Sequence, residues 1–130
     1  MPKVIRHFAE LDGQQKATAV GFKCPGCGMW HVLPTHQYHN GEGGAQWGFN
    51  DNFDKPTFTP SILMRTGHYI PEHNSANCYC NWNERYPDDP IDWTCQVCHS
   101  FVTDGRIQFL GDCTHNLAGQ TVDLPEITDP

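Results

Sequence analysis

Two C-x-x-C pairs constrain this chain more than anything else in it: Cys24-Pro25-Gly26-Cys27 and Cys95-Gln96-Val97-Cys98, the second followed at once by His99. Thiols at this spacing hold a tetrahedral metal because the backbone turns around the ion with its amides aimed at the sulfurs. Three more cysteines, Cys78, Cys80 and Cys113, and a total of 8 histidines enlarge the supply of ligands. The count of 7 cysteines is odd, which suits a wholly disulfide-bonded framework poorly. The opening segment MPKVIRHFAELDGQQK lacks the apolar run of a secretory signal, and no later stretch has the length of a membrane span. The expectation is a reducing compartment in which cysteines ligate metal, with no membrane association.

The ligands sort into two sets. Cys78, Cys80, Cys95 and Cys98 are separated by one acidic loop, so four thiols close a site at small cost in chain entropy. If residues 98–102 form a strand, Cys98 and His99 point to opposite faces. His99 then joins Cys24, Cys27 and one of Cys113 or His115 in a second site, and two zinc ions are expected. A ribbon of Cys24, Cys27, Cys95 and Cys98 around a single zinc is the other arrangement the spacing permits. His31, four residues past the first pair, is the best placed of the remaining histidines. With it, His36, His39, His68 and His73 read as solvated loop residues more than as ligands.

Zinc fits better than its rivals. C-x-x-C-H also attaches c-type haem, but that attachment belongs outside the cytosol. Cys113-Thr114-His115 and Cys98-His99 echo the two boxes of a Rieske centre, yet their order is reversed and the second pair is adjacent instead of spaced. A thiolate-rich site is a poor source of zinc hydroxide, because sulfur donation lowers the metal's acidity, so the metal is expected to be structural. The chain has no H-x-E ahead of P-C-x-x-C, no H-E-x-x-H, no G-x-S-x-G and no phosphate-cradling glycine loop. Ser61, in TPSIL, reads as an isolated strand serine. An enzyme reading requires His99, Cys113 and His115 to leave a metal with an open position.

With 12 Gly and 10 Pro there is little room for long helices, and the pattern predicts short strands joined by turns. Residues 3–11 and 17–23 read as strands, PSILMR as a third, and HSFVTDGRIQFL as a hairpin whose Asp104-Gly105 turn is type I′. Phe101, Ile107 and Phe109 are expected to cover a core. The fold class expected is mainly β: one small zinc-stabilised domain over 1–130, with a zinc-ribbon-like hairpin, long irregular loops, and peripheral segments at 1–16 and 125–130. A net charge of −7, with 8 scattered Lys and Arg, argues against general nucleic-acid binding.

The blocks CPGCG, KPTFTPSIL, GHYIPEH, CYCNWN, PDDP, CQVCHSFVTDGRIQFLGDCTHNLAG and TVDLP together resemble a small family of Cys/His-rich tailed-phage and prophage proteins of unknown function. Members often carry the label ammonia monooxygenase, which does not suit a chain with neither a membrane span nor a histidine-rich copper site. The resemblance implies phage origin and action in the host bacterial cytoplasm or in the virion, and it supplies no catalytic residues. The function expected is binding of a protein partner, whether a host or defence factor or another phage protein, with Trp47, Trp82 and Trp93 as aromatic anchors. The alternatives are the open-site zinc enzyme and a structural component of the virion.

Overall fold

The computed structural model describes residues 2–70, 78–92 and 94–127; His73, Trp93 and the last three residues lie outside them. Two antiparallel sheets make up the structure, as expected of a chain so rich in turn residues. The first joins β1 (Ile5–Leu11), β2 (Gln14–Lys23) and β3 (Trp30–Leu33) in that order. The second runs β4 (Gly48–Phe49), β5 (Phe58–Arg65), β6 (Val97–Thr103), β7 (Arg106–Phe109) and β8 (Thr121–Asp123). A single α-helical turn, α1 (Trp82–Arg85), stops before Tyr86-Pro87, where the proline ring disfavours helical backbone in the residue before it.

The core lies between the sheets. Val20, Phe22 and Leu33 from the first meet Phe49, Phe58, Ile62, Val102, Ile107 and Phe109 from the second. Phe58 stacks on Phe49, with ring centroids 5.0 Å apart, and on Phe22 at 6.1 Å. The amino-terminal segment, expected at the periphery, supplies β1 and the fully buried Val4. Leu124, just after β8, is also buried, and its amide donates to the Gly105 carbonyl.

The predicted hairpin is present as β6 and β7. Asp104 and Gly105 have φ of 51° and 79°, the pair of positive values that a type I′ turn requires. This turn pairs Val102 with Ile107 and Ser100 with Phe109, so Phe101 falls opposite Gln108 on the other face. Ile107 and Phe109 are buried as expected, whereas Phe101 is 41% exposed. Grouping Phe101 with them overlooked that alternation reverses its side. Trp47 packs against the core, in keeping with the default role of a large aromatic, and Trp82 is half-buried.

The pairing of β5 with β6 is interrupted between Phe58 and Ile62, where Thr59, Pro60 and Ser61 bulge out of register. Pro60 has no amide to give to the ladder, so an interruption at this point is a natural consequence of the sequence. Bulges of this kind re-aim the side chain they carry. Among the described residues, no helix is long and apolar enough to cross a membrane.

Candidate active site and thiol clusters

Strand β6 alternates sides. Cys98, Ser100 and Val102 are buried, while His99 between them reaches the outer face of the larger sheet. Two side chains meet His99 there. Its Nδ1 lies 3.0 Å from Asp112 Oδ2, and its Nε2 lies 3.2 Å from Ser61 Oγ. An ionised carboxylate only accepts, so the Asp112 contact assigns the ring proton to Nδ1. The lone pair of Nε2 is left facing the Ser61 hydroxyl.

Each member of this chain of contacts is held by its element. Ser61 stands on the β5 bulge, and the Trp47 Nε1–H donates to its carbonyl oxygen at 3.2 Å. His99 sits in the β6 ladder, opposite Leu63 on one side. On the other side the Leu110 amide donates to its carbonyl at 2.9 Å, which sets the start of the loop carrying Asp112. That loop is tied further back where the Thr114 amide donates to the Val97 carbonyl at 3.0 Å. Serine hydroxyl, imidazole and carboxylate linked in this order make up the constellation of serine hydrolases, which is recognised by geometry, whatever the order along the chain.

The cysteines gather behind β6. Cys24, Cys27, His31 and Cys98 form one group in which the ligand atoms all lie within 4.8 Å of one another. Cys24 Sγ is 3.8 Å from Cys98 Sγ, and His31 Nε2 is 3.3 Å from Cys27 Sγ and 3.8 Å from Cys98 Sγ. His115 stands beside this group. Its Nδ1 accepts from the Leu117 amide, so its Nε2 carries the proton and donates toward Cys98 Sγ at 3.6 Å. Its ring occupies the space that a Cβ at Gly26 would fill, so only glycine lets the C-x-x-C turn approach so closely. A second group joins Cys78, Cys80 and Cys95, also within 4.8 Å.

Electrostatics in the first group favour a cation. Hydrogen bonds from Cys24 and then Cys98 hold the Cys27 thiol far below the usual thiol range. Hydrogen bonds with Cys24 and then Cys27 push the Cys98 thiol far up. Burial pulls His31 down, but its contacts with the Cys24 and Cys27 sulfurs outweigh this and raise it to about 9. The raised His31 beside the lowered Cys27 thiol favours positive charge here, and among the described residues three groups could hold a metal ion: this one, Cys78 with Cys80 and Cys95, and Cys98 with Cys113 and His115.

These positions differ from the two expected sets. Cys98 joins Cys24 and Cys27, leaving Cys78, Cys80 and Cys95 together as three among the described residues. The fourth donor of the first group is His31. His99 belongs to neither, because both of its ring nitrogens are engaged by Ser61 and Asp112. This removes the open metal site expected around His99, Cys113 and His115, although Cys113 and His115 do lie near Cys98. Ser61 is no isolated strand serine, and Asp112 had no signal beyond its place one residue before Cys113.

The chain belongs to the family whose model is described as bacterial ubiquitination-like system serine protease (BubE), which matches residues 3–110. The matched span includes Ser61 and His99 and ends two residues before Asp112. No curated protein and no solved structure matches significantly. The family match overturns the resemblance to a phage and prophage family of unknown function. With it go the phage origin, the zinc-stabilised binder of host, defence or phage proteins, and the virion component, because the family is that of a bacterial system and is described by a protease activity.

Proposed function

We propose that this chain is a serine hydrolase that cleaves an amide bond in a protein partner belonging to a ubiquitination-like system. The observation that carries the reading is the continuous contact Ser61 Oγ to His99 Nε2 to His99 Nδ1 to Asp112 Oδ2, at 3.2 and 3.0 Å. Ser61 Oγ attacks the scissile carbonyl while His99 Nε2 takes its proton. The same nitrogen passes that proton to the leaving amine as the carbon–nitrogen bond breaks, which leaves an acyl group on Ser61. Water then attacks the acyl carbon with His99 again as base, and the carboxyl product departs as Ser61 regains its proton. Asp112 holds the ring in its Nδ1–H tautomer and stabilises the imidazolium formed in each half. The side chains of His99 and Asp112 are 25% and 56% exposed, so the reacting groups lie on an open sheet face that a folded protein can reach. The family's description, a serine protease of such a system, supports both the bond type and the class of partner.

The metal is zinc on this reading, and its role is structural. A tetrahedral zinc with metal–sulfur bonds of about 2.3 Å separates its sulfurs by about 3.8 Å. The Cys24–Cys98 spacing is 3.8 Å. Four protein donors would leave no position for a metal-bound water, so an ion held by Cys24, Cys27, His31 and Cys98 would tie the β2–β3 turn to β6 without a part in hydrolysis. A second ion belongs at Cys78, Cys80 and Cys95 on the same soft-ligand chemistry.

An aryl fluorophosphonate, which phosphonylates activated serines, tests the proposal without knowledge of the natural substrate. Mass mapping should place one adduct on Ser61, and Ser61→Ala, which lacks the hydroxyl the probe bonds to, should abolish labelling. A folded Ser61→Ala protein that labels like the wild type would end the hydrolase reading.

A further inference from the structure

Strand β7 ends at Phe109, and the ladder to β6 survives for one more bond, from the Leu110 amide to the His99 carbonyl. The His99 amide finds no strand beyond that point. It donates instead to Cys113 Sγ at 3.2 Å, and the same sulfur lies 3.2 Å from the His99 carbonyl oxygen. Cys113 is buried, and the residue before it is Asp112. A side chain thus takes the place of a missing strand residue, and a backbone donor that burial would leave unpaired is satisfied.

We propose that Cys113 is a positioning residue of the triad, a thiol clasp that fixes the Asp112 loop against the backbone of His99. The inference rests on the hydrolase reading of Ser61, His99 and Asp112. The sulfur accepts from the His99 N–H and donates its own S–H to the His99 carbonyl. A thiolate has no proton to donate, so the role requires a protonated thiol outside the metal shell. Cys24, Cys27, His31 and Cys98 supply four donors without it, although Cys113 also lies within 4.8 Å of Cys98 and His115 in a group that could itself hold an ion, so metal counting is part of the test. Because Asp112 precedes Cys113 by one peptide unit, the clasp sets where its carboxylate meets His99 Nδ1.

The test is fluorophosphonate labelling of Ser61 combined with metal counting by native mass spectrometry. Cys113→Ala should lower the maximal labelling rate roughly tenfold or more, as expected of a small displacement within a reacting constellation, with probe affinity unchanged. Its metal count should equal that of the wild type. Cys113→Ser keeps a donor and an acceptor at this position and should restore most of the rate. A wild-type rate in Cys113→Ala, or loss of a metal ion from it, would overturn the clasp. If Ser61→Ala is dead and Cys113→Ala is normal, the clasp alone fails; if Ser61→Ala labels normally, the triad itself has failed. Amide hydrogen exchange on the wild-type protein gives a second measure should the alanine variant not fold. The His99 amide should be protected like its neighbours in β6, and exchange as fast as an open loop amide would refute the clasp.

Discussion

The two faces of strand β6 carry different chemistry from adjacent residues. Inward, Cys98 is 2% exposed and sits against Cys24 and His31; outward, His99 meets Ser61 and Asp112. A strand places consecutive side chains on opposite sides, so one peptide unit separates a closed thiol cluster from an open polar constellation. The difference lies in what each face demands. The inner face gathers thiols away from water, whose charge a cation would compensate. The outer face needs a base with a free lone pair, which a metal would consume. The same imidazole cannot serve both, and both ring nitrogens of His99 are engaged on the outer face, by Ser61 and Asp112.

Removing the metal should break this division most severely. A structural zinc contributes about 10 kcal/mol or more to folding, comparable with the roughly 5–15 kcal/mol total stability of a domain. A strong chelator should therefore abolish the cooperative melting transition and Ser61 labelling together. A metal-free protein that melts and labels as before would show that the inner face does not support the outer one.

Single substitutions on β6 separate the faces. His99→Gln should slow Ser61 labelling by about 10⁴-fold while leaving the metal count and the melting temperature close to wild type. Cys98→Ser should lose the metal near Cys24 and Cys27 and expose those two thiols to alkylation, with Cys78, Cys80 and Cys95 still protected. The comparison would collapse if His99→Gln cost a metal ion, or if Cys98→Ser exposed residues 78, 80 and 95. Asp112→Asn is a smaller perturbation. It keeps the contact but can stabilise the wrong tautomer, and it should cost about 10²- to 10⁴-fold in labelling with the metal intact. An unchanged rate would mean that Asp112, which is more than half exposed, does not orient His99.

How far the site was legible depends on the range of each contact. The Asp104-Gly105 turn fixes the β6–β7 register locally, and continuing Ser100↔Phe109 by one step sets His99 opposite Leu110. Asp112 lies two residues beyond Leu110, but nothing in the sequence set it apart from the other acidic residues, so its contact with His99 emerges only from the folded loop. The opposite facing of Cys98 and His99 was equally local. Ser61 was out of reach, because its contact with His99 spans a long irregular segment and depends on the bulge at Thr59–Ser61. His31 was left out of both expected metal sets, although its spacing four residues past Cys27 was the one signal that favoured it over the other loop histidines. The competing assignment of His99 to a metal came from counting ligands where the hydrogen-bonding needs of the ring decide.

The smallest expected effect tests the register from which the comparison follows. Gly105 has a φ of 79°, and a Cβ there would come within 3.2 Å of the Lys55 Cα and 3.3 Å of the Asp54 carbonyl oxygen. Its amide donates to the Pro56 carbonyl, and its own carbonyl accepts from Leu124 and from Lys3 Nζ. Gly105→Val should therefore cost roughly 1–3 kcal/mol, from left-handed backbone that a β-branched residue resists and from crowding against the 54–56 segment. Denaturant melts would measure it. Wild-type stability would mean that another turn conformation serves as well. The same variant should label Ser61 more slowly only in proportion to its unfolded fraction, because the ladder holds Val102 against Ile107 and Ser100 against Phe109 once folded. A larger loss would point to a register slip. Moving β6 by one residue exchanges its faces, turning His99 inward and Cys98 outward, so labelling and metal content would then fall together.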